Sequence, residues 1–235
     1  GKLTGSEFIV STIVTTKLLS EIAASFGVEY FECLTGFKFI ADVIRQHEGT
    51  RHFIVGGEES YGYLIGDFVR DKDAISACAM IAETAAWMAD QGKSLYDLLM
   101  DIYLRYGYYK EGLISVTRKG KAGAEEIQQM MVEYRQNPPL TINSTHVVTI
   151  RDYLLQKEKQ VATGQEKPIL LPKSNVLQFI LDDGSVISVR PSGTEPKIKF
   201  YFGVREPLGK LSDYESTEQL LDNKIKSIIA SLKLK

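Results

Sequence analysis

Two stretches of this chain gather side chains that could do chemistry. The first is "GGEESYG", residues 56–62, with two carboxylates, Glu58 and Glu59, and the hydroxyl of Ser60 set among glycines. A carboxylate offers two acceptor oxygens, which suits neighbouring hydroxyls on a sugar ring. Adjacent side chains diverge, so the two carboxylates can serve different tasks. An exposed acidic loop would contain the same residues. The second stretch is "RPSGTEPKIKF", residues 190–200, between runs "SVISV" and "KIKFYFGV" that read as β-strands. Arg190 ends one strand, Lys199 lies on the next, and Ser192, Gly193 and Thr194 fill the turn. Successive backbone N–H groups in such a turn can form an anion-binding nest. An arginine fork, two hydroxyls and backbone amides together meet the needs of a phosphate monoester dianion. The alternative is a polar hairpin with solvated charges, but Pro191 and Pro196 stiffen a loop that holds more donors than a hairpin requires.

Weaker candidates flank these. Lys72, in "VRDKDA", stands just before a helix, where the N-terminal end of the dipole attracts anions. Thr35 and Gly36, in "LTGFKF", occupy a strand-to-helix turn, with Thr35 placed to act as N-cap. His47, His52 and His146 lack metal or triad spacing and read as structural. No G-x-S-x-G, Walker loop, G-x-G-x-x-G or H-x-x-x-H occurs. Recognition groups are present without a complete nucleophile–base pair.

The chain is 235 residues long, 44% hydrophobic and 25% charged, with a net charge of −2. That balance gives no reason to expect nucleic-acid or anionic-membrane binding. No apolar run approaches the roughly 20 residues that span a bilayer. Cys33 and Cys78 sit in separate apolar segments and read as two buried, reduced thiols, which fits a cytoplasmic protein.

The elements that must position the candidates follow from periodicity. Strand patterns at "EFIVSTIV", "VEYFECL" and "HFIV" alternate with helical patterns at "TTKLLSEIAASFG" and "GFKFIADVIRQHEG", each helix closed by glycine. Further helices are expected from Ala74 to Asp90, capped by Asp73, and from Leu95, capped by Ser94 with Asp97 in capping-box register. This alternation predicts an α/β domain with a mainly parallel sheet between helical layers, residues 1–110. Residues 111–235 read as α+β, an antiparallel sheet with two helices. Asp183-Gly184 gives a two-residue hairpin signal. A last helix is expected from Ser216, with Gln219 in capping-box register, and the polar stretch 156–167 as a surface loop.

"GGEESYG" and "RPSGTEPKIKFYF", in that order, resemble two loops of the α-D-phosphohexomutases, the family of phosphoglucomutase and phosphomannomutase. "TTKLLSEIA", "LTGFKFI" and "VRDKDA" fit the same pattern, and the resemblance covers essentially all of the chain. It implies a fragment holding the third and fourth of four domains, the fourth resembling TATA-box-binding protein in fold. The catalytic phosphoserine and the Asp-rich Mg²⁺ loop would lie in the absent first two domains, so this chain would hold no metal ligands and be inactive alone. Glu58 and Ser60 match sugar-hydroxyl-binding positions, with Thr35 and Gly36 lining the site. Arg190, Ser192, Gly193 and Thr194 match the phosphate loop. Lys199 matches an assisting position where arginine is common; lysine keeps the charge but loses the fork. Lys72 matches a basic residue near the transferred phosphate that could assist as base or acid. The implied reaction interconverts hexose 1- and 6-phosphates through hexose 1,6-bisphosphate, which also serves as activator. A phosphopentomutase or a stand-alone phosphosugar-binding module are the alternatives.

Overall fold

A computed structural model describes residues 3–193 and 195–234. The chain divides into two compact units. One runs to Tyr108 and includes Pro207–Ser212; the other is Tyr109–Glu206 with the segment from Asp213 onward.

The first unit is built on a four-stranded sheet of β1 (Glu7–Thr12), β2 (Glu29–Cys33), β3 (His52–Gly57) and β4 (Tyr63–Ile65), in the order β2-β1-β3-β4. β1 is parallel to β2 and to β3, and only β4 runs antiparallel. Alternation along β1 turns Phe8 and Val10 to one face, where they pack with Phe37, Ile40 and Ile44 of α2 (Phe37–Gln46). Residues 37, 40 and 44 share one helical stripe, which is why this segment folds as an amphipathic helix on a sheet. On the opposite face, α1 (Leu18–Ser25) is tethered by an ion pair from Lys17 to Glu32. Gly27, at φ +67, ends α1, and the Val28 amide donates to the Ala23 carbonyl at 2.9 Å, closing the helix as glycine at C′ predicts.

α3 (Ala74–Asp90) and α4 (Leu95–Tyr106) begin at their expected caps. The Asp73 carboxylate accepts from the amides of Ile75 and Ser76. Ser94 and Asp97 form a reciprocal capping box. α3 departs from expectation in its burial. Its sequence is apolar, yet among its residues only Met88 is buried, and Cys78 is exposed rather than part of a core. Composition set the expectation for Cys78; burial depends on what a helix packs against. Cys33 is buried, and burial, reinforced by Glu58 and Glu32, pushes its thiol up to about 12. It stays protonated at neutral pH and is no nucleophile.

The two glycines of β3 have a packing role. A Cβ on Gly56 would stand 2.8 Å from Cγ2 of Ile40. Both atoms belong to the packed core, so neither can retreat freely. Gly56→Ala is therefore expected to destabilise the protein by about 1–3 kcal/mol, the usual cost of overpacking. A lower urea midpoint with an unchanged slope would show it; an unchanged midpoint would refute it.

The second unit carries β5 (Tyr108–Thr117), α5 (Gly120–Gln136), β6 (Thr141–Ile142), β7 (Thr145–Asp152), β8 (Lys157–Gln160), β9 (Glu166–Pro168), β10 (Leu177–Leu181), β11 (Val186–Pro191), β12 (Lys197–Glu206) and α6 (Tyr214–Ser231). Its sheet order is β5-β12-β11-β10-β7-β8-β9, with β6 beside β7. The ladders from β12 through β11, β10, β7 and β8 to β9 are antiparallel. Ile187, Val189, Phe200 and Phe202 are buried, and Tyr134 of α5 meets the rings of Phe179 and Phe200.

Three local expectations need correction here. The stretch 156–167 contains two strands, because Lys157 and Glu158 pair with Pro168 and Lys167 across a hairpin. The β10–β11 connection has three loop residues, Asp182–Gly184: the Gly184 amide donates to Leu181 O at 3.0 Å, and the Leu181 amide to Ser185 O at 2.9 Å. Gly184, at φ +81, takes the left-handed position that such loops reserve for glycine. Finally, α6 starts at Tyr214 after a 3₁₀ turn, Leu211–Asp213, and the Ser216 hydroxyl donates to Asp213 O instead of capping. Lys224 of α6 reaches Asp183 at 2.9 Å and Glu206 at 3.0 Å. Burial opposes its charge, but the two carboxylates outweigh that and hold its pKa above the ordinary value.

Candidate functional site

In the first unit the candidates converge at the carboxyl ends of β1, β2 and β3, the edge at which open α/β sheets bind ligands. Gly36, at φ +117, is the N-cap of α2, and neither it nor Thr35 caps the helix with a side chain. A residue remote in sequence supplies the acceptor instead: Glu58 Oε1 takes the Gly36 amide at 2.7 Å. Thr35 is thus corrected from cap to neighbour. Cap prediction reads only local sequence, and here tertiary structure provides the partner. One Glu58 oxygen is engaged by the backbone, and its other lone pairs stay available to a ligand.

Glu59 turns the other way and accepts from the Thr12 hydroxyl at 3.3 Å; Thr12 in turn lies 2.9 Å from Thr15 Oγ1. The two carboxylates diverge as adjacency requires. Thr12 was not singled out from sequence, although its place at the end of β1 would have marked it. The loop closes with the Glu58 amide donating to Gly62 O at 2.9 Å, leaving Ser60 and Tyr61 exposed at its tip. Tyr61 adopts φ +64, a left-handed conformation uncommon for an aromatic residue. Lys72 joins this cluster. Its Nζ lies 5.0 Å from the ring centroid of Phe37, the residue after Gly36, and 3.2 Å from Asp71 Oδ1. Phe37 is a second residue that motif reading passed over.

In the second unit, Arg190 and Lys199 are cross-strand partners on β11 and β12. Residues directly opposite on antiparallel strands project to the same face. The alternation that buries Val189 and Phe200 places these two cations on the face away from that core. Like charges directly opposite cost stability unless something compensates, and among the described residues no carboxylate pairs with either. Behind them on the same face runs a buried relay: the Tyr153 hydroxyl donates to Gln178 at 2.7 Å, and Gln178 donates to Ser188 at 2.8 Å. A polar chain spread over three segments leaves no local sequence signal.

In the turn itself, two amides bond within the hairpin. The Ser192 amide donates to Lys197 O at 2.7 Å, and the Glu195 amide to the Ser192 hydroxyl at 3.4 Å. These two amides are committed inside the hairpin. Gly193 is exposed at the tip, and Thr194 lies outside the described residues. Ser192, Gly193 and Pro196 also border a cleft of ≈ 430 Å³ against Gly120, Ala124 and Gln128 of α5.

Among the described residues no three His, Cys, Asp or Glu side chains are grouped to hold a metal ion. No helix of the described residues is long and apolar enough to cross a membrane. Residues 1–106 match phosphoglucomutase/phosphomannomutase α/β/α domain III, and residues 154–216 match the C-terminal domain of the same enzymes. The chain belongs to the phosphoglucomutase/phosphomannomutase family. A phosphoglucomutase of Staphylococcus aureus (strain bovine RF122 / ET3-1) is 41% identical over 199 residues, which are 85% of this chain and 36% of the relative. One from Staphylococcus saprophyticus is 35% identical over 225 residues, 95% of this chain and 40% of the relative. The chain therefore spans about two fifths or less of the length of these curated relatives. Among solved structures, parafusin, a phosphoglucomutase of Paramecium, overlays with a TM-score of 0.60 at 18% identity, covering 94% of this chain and 37% of that one. A phosphoglucomutase/phosphomannomutase family protein of Burkholderia thailandensis gives 0.51 at 13%, covering 95% of this chain and 37% of that one. At these identities the overlays speak for the fold alone.

Proposed function

We propose that this chain is the substrate-holding part of a phosphohexomutase, which interconverts hexose 1-phosphate and hexose 6-phosphate. The observation that carries the proposal is the pair Arg190 and Lys199, opposed across two strands with no carboxylate partner among the described residues. A phosphate dianion relieves that repulsion, and an arginine fork beside a basic neighbour suits a phosphate that is held while another reacts. Glu58 is the acceptor for sugar hydroxyls. Its position at a helix N-terminus fixes it on rigid structure, and a carboxylate accepts hydroxyls on adjacent carbons in either of two sugar orientations. Both orientations are needed if a bisphosphate intermediate turns over between two half-reactions. Ser60 adds a hydroxyl at the loop tip, and Lys72 brings positive charge for the phosphoryl group in flight. These groups contribute positioning and electrostatics, the main protein terms in phosphoryl transfer. The Mg²⁺ and the phosphoserine of the reaction belong, in this proposal, to residues of the relatives' length that this chain does not span.

The chain alone, given Mg²⁺, glucose 1-phosphate and catalytic glucose 1,6-bisphosphate, is expected to show no turnover in a coupled assay. Sustained turnover would overturn the division of labour. Calorimetry with glucose 1-phosphate is expected to give weak binding. Tight binding by the isolated chain would instead favour a stand-alone phosphosugar-binding module.

A further inference from the structure

Gly62 closes the loop that presents Glu58 and Ser60, and its backbone is not in the left-handed region, so conformation does not demand glycine there. Space does. A Cβ at this position would stand 2.5 Å from Cδ and 2.9 Å from Cγ of Lys72, with Glu58 Oε2 at 3.4 Å. The first two distances are far inside van der Waals contact, and Cγ lies too near the lysine backbone to swing aside independently. That backbone is itself tied down, because the Asp73 amide donates to Tyr63 O at 2.8 Å, next to Gly62. A side chain at 62 would therefore have to drive Lys72 into another rotamer.

We infer that Gly62 is a positioning residue for Lys72: the bare backbone is a track along which the lysine stem crosses the loop. The stem is confined on three sides. Gly62 forms the floor, the Phe37 ring lies under the ammonium at 5.0 Å, and Asp71 Oδ1 stands at 3.2 Å from Nζ. The lysine side chain is still half-exposed, so packing alone would not fix it. What the track achieves is to deliver the ammonium over the residue that follows Gly36, whose amide Glu58 holds. The sugar-hydroxyl acceptor and the cation are thereby set at one corner by a single loop. A Cβ at 62 would displace the lysine stem while meeting Glu58 Oε2 only at an ordinary contact distance, 3.4 Å. The functional part of this inference rests on the role proposed above for Lys72.

The test is a double-mutant cycle in the complete mutase polypeptide, read as kcat/KM with glucose 1-phosphate. Lys72→Ala alone tests the proposed role, and wild-type kcat/KM there would remove that premise. With the premise standing, Gly62→Ala is expected to lose about 10–100-fold, the scale of a misplaced catalytic group. In the Lys72→Ala background the same change is expected to cost almost nothing. Near-wild-type activity of Gly62→Ala, or full additivity of the two losses, would overturn the inference. A second readout needs no activity. In the NMR spectrum of the unmodified chain, the Lys72 ε-methylene protons should be shifted upfield by the Phe37 ring, and Phe37→Leu should abolish the shift. If Gly62→Ala folds, it should abolish the shift too. If it does not fold, the unmodified chain decides, and a Lys72 with no ring shift would refute the track.

Discussion

Arg190→Ala in the complete polypeptide is expected to lower kcat/KM for glucose 1-phosphate by about 2–4 kcal/mol, the cost of removing one partner of a desolvated charged hydrogen bond. That is roughly 30- to 1000-fold, since each 1.4 kcal/mol is tenfold. The loss should arrive without loss of fold. Arg190 sits opposite Lys199, and no carboxylate among the described residues depends on it. Removing it relieves a like-charge contact, so the thermal midpoint should hold or rise slightly. Arg190→Lys keeps the charge but not the fork and is expected to fall between wild type and alanine. Wild-type kcat/KM in the alanine variant would exclude a phosphate-holding role. A large drop in midpoint would show that the residue works through stability instead.

The second large effect is expected at Glu58, where two jobs can be separated. Glu58→Ala removes the acceptor of the Gly36 amide as well as the proposed acceptor of sugar hydroxyls. It should cost about 1 kcal/mol of stability, as loss of a helix cap does, and a further 2–4 kcal/mol, approximately, in kcat/KM. Glu58→Gln keeps an oxygen for the amide while replacing the other acceptor by a donor. It should hold the urea midpoint near wild type and still lose most of the activity. Equal losses of stability in both variants would mean that the carboxylate charge, and not the hydrogen bond, secures α2. Full activity in the glutamine variant would remove Glu58 from sugar recognition.

The clasp between Glu58 and Gly36 also marks where reading the sequence stops. Asp73 and Ser94 were legible as caps because a short polar residue before an apolar helical run acts locally. Thr35 met the same local rule, but its role went to a carboxylate contributed from the end of β3. The hairpin β8–β9 escaped notice for a different reason. Its strands, "KEKQ" and "EKP", lack the apolar alternation that identifies a half-buried strand, being charged in the manner of sheet edges that avoid unwanted pairing. α3 misled in the opposite direction, since apolar composition suggested burial for Cys78. At the candidate site, the alternation of "SVISVR" and "KIKFYF" was enough to foresee Arg190 beside Lys199. It could not foresee that the Ser192 amide would be spent on Lys197, nor that Tyr153, Gln178 and Ser188 would form a chain behind them. Those contacts depend on how strands far apart in sequence are aligned.

That alignment gives the three-residue loop between β10 and β11 a consequence at the other end of its strand. With two loop residues, Phe179 would face Ser188 instead of Ile187, its partner in the ladder. Because side chains alternate with a period of two, such a one-residue slip would carry Arg190 to the side now filled by Phe200 and Phe202. The direction in which this guanidinium points is thus set at Gly184, whose left-handed backbone accommodates the extra residue. A residue with no part in binding decides, by counting, whether the cation stands outside the core or would have to be buried within it.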